Sequence, residues 1–266
     1  MSEKQGPKTL IIDIETSPLI CYSWGVFEQN IGLNQVVEDW YILSFSAKWL
    51  GDPDNKIIYM DNRKAKDISN DKKLLKEISN LLNEADVVIG QNSRRFDIKK
   101  INARFAIHKM KPPSSYRQVD TCQLANKHFG FTSNSLDYLA EKLCTKHKKS
   151  KHTKFPGMTL WKECLKRNQE AWKDMEKYNK KDVLVTEELY EILRPWDNSI
   201  NPNLYTEEVT NLCPCGSDSW SKNGVKRLDS GVFQRYTCKS CGYETRGKVN
   251  LLSKEKKESL KAKVTR

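Results

Sequence analysis

The sequence predicts an α/β domain followed by a small, metal-stabilised C-terminal domain. Two observations predict the first: short apolar runs of strand length, and longer segments with helical spacing that alternate with them. A third predicts the second domain. Of eight cysteines, four fall close together between positions 213 and 241.

The first element is the apolar run 9–12, which leads into Asp13 and suits a central strand buried on both faces. Residues 40–47 and 56–60 read as further strands, with a Gly/Asp/Pro/Asn turn at 51–55 between them. Across 71–84, Leu74, Leu75, Ile78, Leu81 and Leu82 repeat at helical spacing, and 87–90 returns as a strand. A helix from about 97 to 108 is stopped by Pro112 and Pro113. Two short helices follow at 124–129 and 135–143, then a basic loop at 146–154 and a Pro156-Gly157 turn. A long helix runs over 168–193 and ends before Pro195. The expected division is a catalytic domain at 1–196, a linker at 197–210, the cysteine domain at 211–247 and a charged, partly helical tail at 248–266.

Composition excludes several classes. No apolar run approaches the roughly 20 residues that span a bilayer, so no membrane partner is expected. The N-terminal residues lack the apolar stretch of a signal peptide, and the cytoplasm is the expected compartment. The net charge of +12 is uneven: residues 211–266 carry 13 Lys/Arg against 5 Asp/Glu, a net +8. Such a balance points to a polyanionic partner, because Lys and Arg displace counterions from phosphates; a solvated tail is the alternative.

Asp13 and Glu15 alternate with Ile12 and Ile14, so a strand would place both carboxylates on one face. Like charges in a buried strand cost free energy unless cations lie between them; an ordinary strand end is the plainer reading. In the late helix, Met175, Tyr178, Asp182, Val185, Leu189 and Ile192 form one stripe, and Asp182 is its only acid. A partner is therefore implied, either other acids around a metal or a lone Lys or Arg. Asp97, at the start of a helix, would serve a site or cap the helix, and Asn92 would shape a pocket or merely tolerate a turn. Acids from a strand, a strand-to-helix loop and a late helix converge only in a tertiary site. Hard oxygen donors of this kind suit magnesium or manganese, and two such ions about 3.5–4 Å apart would offset four charges.

Asp13-Ile14-Glu15-Thr16, Asn92-Ser93-Arg94-Arg95-Phe96-Asp97 and Tyr178-Asn179-Lys180-Lys181-Asp182 resemble the three motifs of the DEDD superfamily of 3′-5′ exonucleases. That family has a ribonuclease H-like fold, and Tyr178 before Asp182 matches its Tyr-containing branch. Within it the motifs are most similar to the proofreading domain of family B DNA polymerases and to free-standing relatives in bacteria and bacteriophages. The similarity covers about residues 7–196. It implies two Mg²⁺ or Mn²⁺ ions bridged by Asp13, with Glu15 and Asp182 holding the ion that carries the attacking water. Asp97 would complete the site, Tyr178 would orient the water, and Thr16, Asn92 and Phe96 would receive the 3′ end. Asp120, which precedes a helix, reads as supporting. The substrate implied is DNA, as single strands or frayed 3′ ends, in a bacterial or phage-infected host cytoplasm. No polymerase domain fits in the remaining residues, so proofreading would act in trans with a replication or polymerase partner. A 3′-5′ exoribonuclease stays open, because the acids read phosphate rather than sugar. So does a non-catalytic nucleic-acid-binding adaptor, against which the retention of all four acids and Tyr178 counts.

Cys213-Pro214-Cys215-Gly216 and Cys238-Lys239-Ser240-Cys241-Gly242 look like the two knuckles of a zinc ribbon joined by a β-hairpin, with one structural Zn²⁺; reduced free thiols are the alternative. Glycine after each pair suits a tight turn, whereas the one-residue gap in the first pair strains the usual knuckle. Trp220, Lys222, Phe233, Arg235, Tyr236 and Arg246 interleave rings with cations in this region. Arg235 and Tyr236 are the expected contacts to a nucleic-acid strand, and a protein partner for the ribbon is the alternative. Cys144, His147, His152 and Cys164 form a weaker second ligand set, disfavoured by their lysine-rich surroundings.

Overall fold

The computed structural model describes residues 6–148, 154–207 and 211–260. They fall into two compact units, Pro7–Leu193 and a second that begins at Arg194. In the first, β1 (Thr9–Thr16) leads to a short pair, β2 (Ile20–Cys21) and β3 (Val36–Glu38), and then to β4 (Ile42–Trp49) and β5 (Ile58–Asp61). Helix α1 (Lys72–Glu84), β6 (Val87–Gly90), α2 (Asp97–Ile107) and β7 (Arg117–Asp120) follow. Helices α3 (Thr121–His128), α4 (Leu136–Leu143), α5 (Thr159–Leu165) and α6 (Gln169–Leu193) complete the unit.

Five strands form a mixed sheet in the order β5-β4-β1-β6-β7. β1 is its centre, antiparallel to β4 and parallel to β6, as the unbroken apolar run 9–12 requires. β4 begins at Ile42 rather than at 40, because the Tyr41 N–H and carbonyl are taken by Ser17 and not by the ladder. β7 has only two fully buried residues in four and no period to betray it.

The two-residue period of β1 sets the layers. Leu10, Ile12 and Ile14 pack with Phe45 and Ala47 against α1 and α2. Asp13 and Glu15 point to the opposite face, which α6 covers. There Lys48, opposite Ile11 in the ladder, forms a buried ion pair of 2.5 Å with Glu187 of α6. Glu187 also accepts the Gly51 N–H at 3.1 Å, so both its oxygens are satisfied. Trp172 and Met175 near the start of α6 pack with Leu160 and Cys164, while Val185, Leu189 and Leu193 near its end pack with α3 and α4. This two-ended anchoring fixes which turn of α6 lies over β1.

β6 ends at Gly90, where the chain turns into the loop before α2. A Cβ there would lie 2.6 Å from Ser93 Cβ and 3.1 Å from the Ile12 carbonyl oxygen. Gly90→Ala is expected to cost about 1–3 kcal/mol, as overpacking does. An unchanged midpoint in urea would contradict this.

The second unit holds a three-stranded antiparallel sheet of β8 (Trp220–Leu228), β9 (Gly231–Cys238) and β10 (Glu244–Asn250), ordered β10-β9-β8, and then α7 (Lys254–Ser259). The hairpin is thus extended by a third strand, which runs past position 247. Residues 197–207 belong to this unit, with Asp197, Ile200 and Pro202 buried. The Asn203 side chain bonds both to the N–H and to the carbonyl of Leu212, so the stretch read as a linker is packed. No helix among the described residues is long and apolar enough to cross a membrane. Part of the basic loop, with His152, and the last six residues of the tail lie outside the described residues.

Candidate active site and cysteine centre

A pocket of about 200 Å³ in the first unit is lined by Asp13, Glu15, Asn92, Phe96, Asp97, Tyr178 and Asp182, together with Ile14, Gln91 and Leu136. The three sequence motifs therefore meet. Glu15, Asp97 and Asp182 are buried, the last two at 3% and 4% exposure, and Asp13 keeps part of its surface open.

Each acid is placed by a different device. Helix α2 has Phe96 at its N-cap and no side-chain cap; Asp97 reaches across instead, and Ile14 N–H donates to its Oδ1 at 3.0 Å. The preceding loop is held by Asp120, which accepts the N–H groups of Asn92 (2.9 Å) and Arg94 (3.0 Å) while capping α3 through Cys122 and Gln123. Asn92 sits at φ +58°, a left-handed conformation that Asn tolerates better than most residues. Asp182 comes from α6, and the Tyr178 hydroxyl is hydrogen-bonded to it.

The electrostatics are those of crowded anions. Burial, then the charges of Asp97, Asp182 and Glu15, hold the Asp13 carboxyl well above its usual range. Burial likewise pushes Asp97 up to about 7, against backbone N–H groups that lower it. The Tyr178 phenol is raised by burial and by Asp182, Glu15 and Asp13, so it remains a neutral hydroxyl. Four oxygen donors that destabilise one another's charge would suit a divalent cation, although no three of their oxygens lie mutually within 4.8 Å.

Asp97 ionises above its ordinary value of 3.8, so its protonated form contributes stability below pH 3.8 that is lost as pH rises through about 7. Asp97→Asn, which stays neutral, should therefore gain Tm relative to the parent across that window, without added divalent ions. A difference in Tm that does not change with pH would contradict this.

Sequence reasoning missed Asn179. It is fully buried on α6, and its amide donates to Asp13 Oδ2 at 2.6 Å and to the Asp13 carbonyl at 3.2 Å. Ser44 Oγ donates to its Oδ1 at 3.4 Å, which fixes which end of the amide faces the acid. Its only sequence signal is its place beside Tyr178. Asn179→Leu removes the donor without adding a charge, and should weaken Mn²⁺ affinity by about 10- to 100-fold; unchanged affinity by titration would contradict it.

A second pocket of about 280 Å³ shares Glu15 and Phe96 with the first and adds Thr16, Ser17, Pro18, Met158 and Trp161. Met158 and Trp161 were not foreseen, since α5 was not. The Trp161 ring meets Tyr178 edge-on at 6.2 Å.

In the second unit the sulfurs of Cys213, Cys215, Cys238 and Cys241 all lie within 4.8 Å of one another. This is the one such group of three or more His, Cys, Asp or Glu ligands among the described residues. Cys213 and Cys241 are 3.5 Å apart, and Cys215 and Cys238 3.7 Å. A tetrahedral Zn–S distance of about 2.3 Å places sulfurs roughly 3.8 Å apart, so the set is compatible with a zinc ribbon. The one-residue gap does not prevent convergence, because Gly216 takes φ +85° where the second knuckle has Gly242 at +77°. Burial raises Cys213; Cys238 is brought down to about 6 against its burial by the N–H groups of Cys241 and Ser240 and by the facing sulfurs. Cys144 and Cys164 belong to different apolar cores, so they do not form the second ligand set. Arg235 and Tyr236, adjacent on β9, project to opposite faces of the sheet, and Arg235 Nε is engaged by the Asn223 carbonyl at 2.6 Å.

A mixed five-stranded sheet flanked by helices is a nuclease-type fold, and acids from its central strand and two helices line one pocket. A family model described as the RNase_H superfamily (RNase_H_2) matches residues 32–194, and the chain belongs to that superfamily. The matched stretch contains Asp97, Tyr178 and Asp182 and begins after β1. The fold implies a nucleic-acid substrate, and nucleases of this kind use divalent metals. A comparison with curated proteins finds no match.

Proposed function

We propose that this protein is a metal-dependent 3′-5′ exonuclease that hydrolyses terminal phosphodiester bonds of DNA in single strands or frayed ends. The observation that carries this reading is the gathering of Asp13, Glu15, Asp97, Asp182 and Tyr178 around one pocket. The four carboxylates would hold the divalent ions, whose chemistry when bound is to activate water and offset charge on the phosphate.

The chain's own groups do the rest. Asn179 aims Asp13 into the pocket. Tyr178, kept neutral, offers a hydroxyl that orients the attacking water beside Asp182. The adjoining pocket gives the terminal nucleoside an apolar seat between Phe96, Met158 and Trp161 and next to the Thr16 backbone. A seat for one nucleoside directly beside the acids favours attack at a chain end. Exposed Arg94 and Arg95, in the loop between Asn92 and Phe96, suit the phosphates of the strand. The released product is a nucleoside monophosphate.

The test uses 5′-labelled single-stranded DNA with Mg²⁺, followed on a denaturing gel. A ladder that shortens from the 3′ end is expected, with none from the Asp13→Ala, Glu15→Ala double variant. Shortening that persists in that variant, or release of the 5′ label as a mononucleotide, would refute the assignment. RNA and duplex with the same label settle the substrate class.

A further inference from the structure

The C-terminal unit contains a cleft of about 560 Å³ between its 198–203 segment and the sheet. We propose that this cleft binds a short single-stranded stretch of nucleic acid, reading its bases as well as its phosphates. The inference rests on the nucleic-acid reading above and gives it a second, non-catalytic site. Volume alone admits a nucleotide-sized ligand, since ligand pockets span about 300–1,000 Å³.

Three kinds of group line the cleft, each suited to a different part of a nucleotide. The Trp220 and Tyr243 rings offer stacking surface. Trp220 is already oriented, because its indole N–H donates to the Asn211 carbonyl at 2.5 Å. The exposed Asn198 amide can donate to and accept from base edges, and Asn201, whose Oδ1 accepts from Asn203, keeps its amide N–H groups to donate. Arg246 and Lys248 supply positive charge for phosphates, and the Arg246 guanidinium is steadied over the Phe233 ring at 4.0 Å. No carboxylate lines the cleft among its described residues, which removes the commonest source of repulsion for a polyanion. An acidic peptide would match the two cations and leave the rings and amides unused.

The experiment uses the full-length, zinc-loaded chain carrying Asp13→Ala and Glu15→Ala, so that hydrolysis cannot intrude. Fluorescein-labelled oligothymidylate and an abasic strand of equal length are titrated by fluorescence anisotropy across a salt series. The intact strand should bind at least about tenfold more tightly, the scale that base stacking sets. Tyr243→Leu and Asn198→Ala should each narrow that gap; Asn198 is exposed, so its variant tests the point even if Tyr243→Leu disturbs the fold. Arg246→Gln with Lys248→Gln should weaken both strands and lower the salt slope by about 1.4. Equal affinity for the two strands, or a gap unmoved by Asn198→Ala, would overturn the proposal. Because the reporter chain is hydrolytically silent, this outcome is independent of whether the exonuclease assignment survives.

Discussion

Asp13→Asn should lower divalent-dependent hydrolysis by on the order of 10³-fold or more, the scale for removing a group that organises a charged transition state. Asp13 lies on the central strand, is held by Asn179 and faces the charges of Asp97, Asp182 and Glu15. No neighbour can take over its place, because Ile12 and Ile14 point into the opposite core. The same substitution should leave the metal-free protein at least as stable, since it removes one of several mutually repelling acids. Loss of rate together with a maintained or raised Tm is therefore the expected pair of results. A parental rate would contradict the role of Asp13, and a collapsed Tm would assign it to structure.

Cys238→Ser should unfold the sheet β8–β10 while the first unit stays folded. Few apolar groups are buried among the described residues of the C-terminal unit: Ile200, Pro202, Leu212 and Phe233, beside Cys213 and Cys238. Such a core is too small to hold three strands whose other residues are mostly exposed or half-buried. A structural zinc in sites of this kind supplies about 10–16 kcal/mol, and bound to these four cysteines it would be folding energy for the unit. Against its burial, the N–H groups of Cys241 and Ser240 and the facing sulfurs hold the Cys238 thiol below its ordinary range, which favours the thiolate form that ligates a metal. Hydrogen exchange by mass spectrometry should show protection lost across Trp220–Leu228, Gly231–Cys238 and Glu244–Asn250 and kept across Thr9–Thr16. Zinc content should fall with it. Full protection in the variant would show that the cysteines carry no structural metal.

Strong periodicity made part of this fold legible. β6 spans the expected four residues, and α1 and α6 begin within one residue of expectation, because Leu/Ile spacing and Pro195 mark them. β7 and β10 were not legible: Arg-Gln-Val-Asp and Glu-Thr-Arg-Gly-Lys-Val-Asn lack an apolar face, and pairing with β6 and β9 alone makes them strands. The acids were readable as motifs, since each interrupts an apolar pattern. Asn179 was not, because its work is a contact with a residue 166 positions away. The pairing of Arg235 with Tyr236 ignored the alternation of strand faces. Trp220 and Tyr243 share a cleft only because the turns after Arg194 pack against the sheet.

Manganese binding tests most directly whether these acids form a metal site. The zinc-loaded chain, titrated with Mn²⁺ and followed by electron paramagnetic resonance, should take up two ions. Asp13→Asn and Asp182→Asn should each abolish or sharply weaken that uptake while the Zn²⁺ content stays constant. A parental chain that binds no Mn²⁺, or binding that both variants retain in full, would contradict the account.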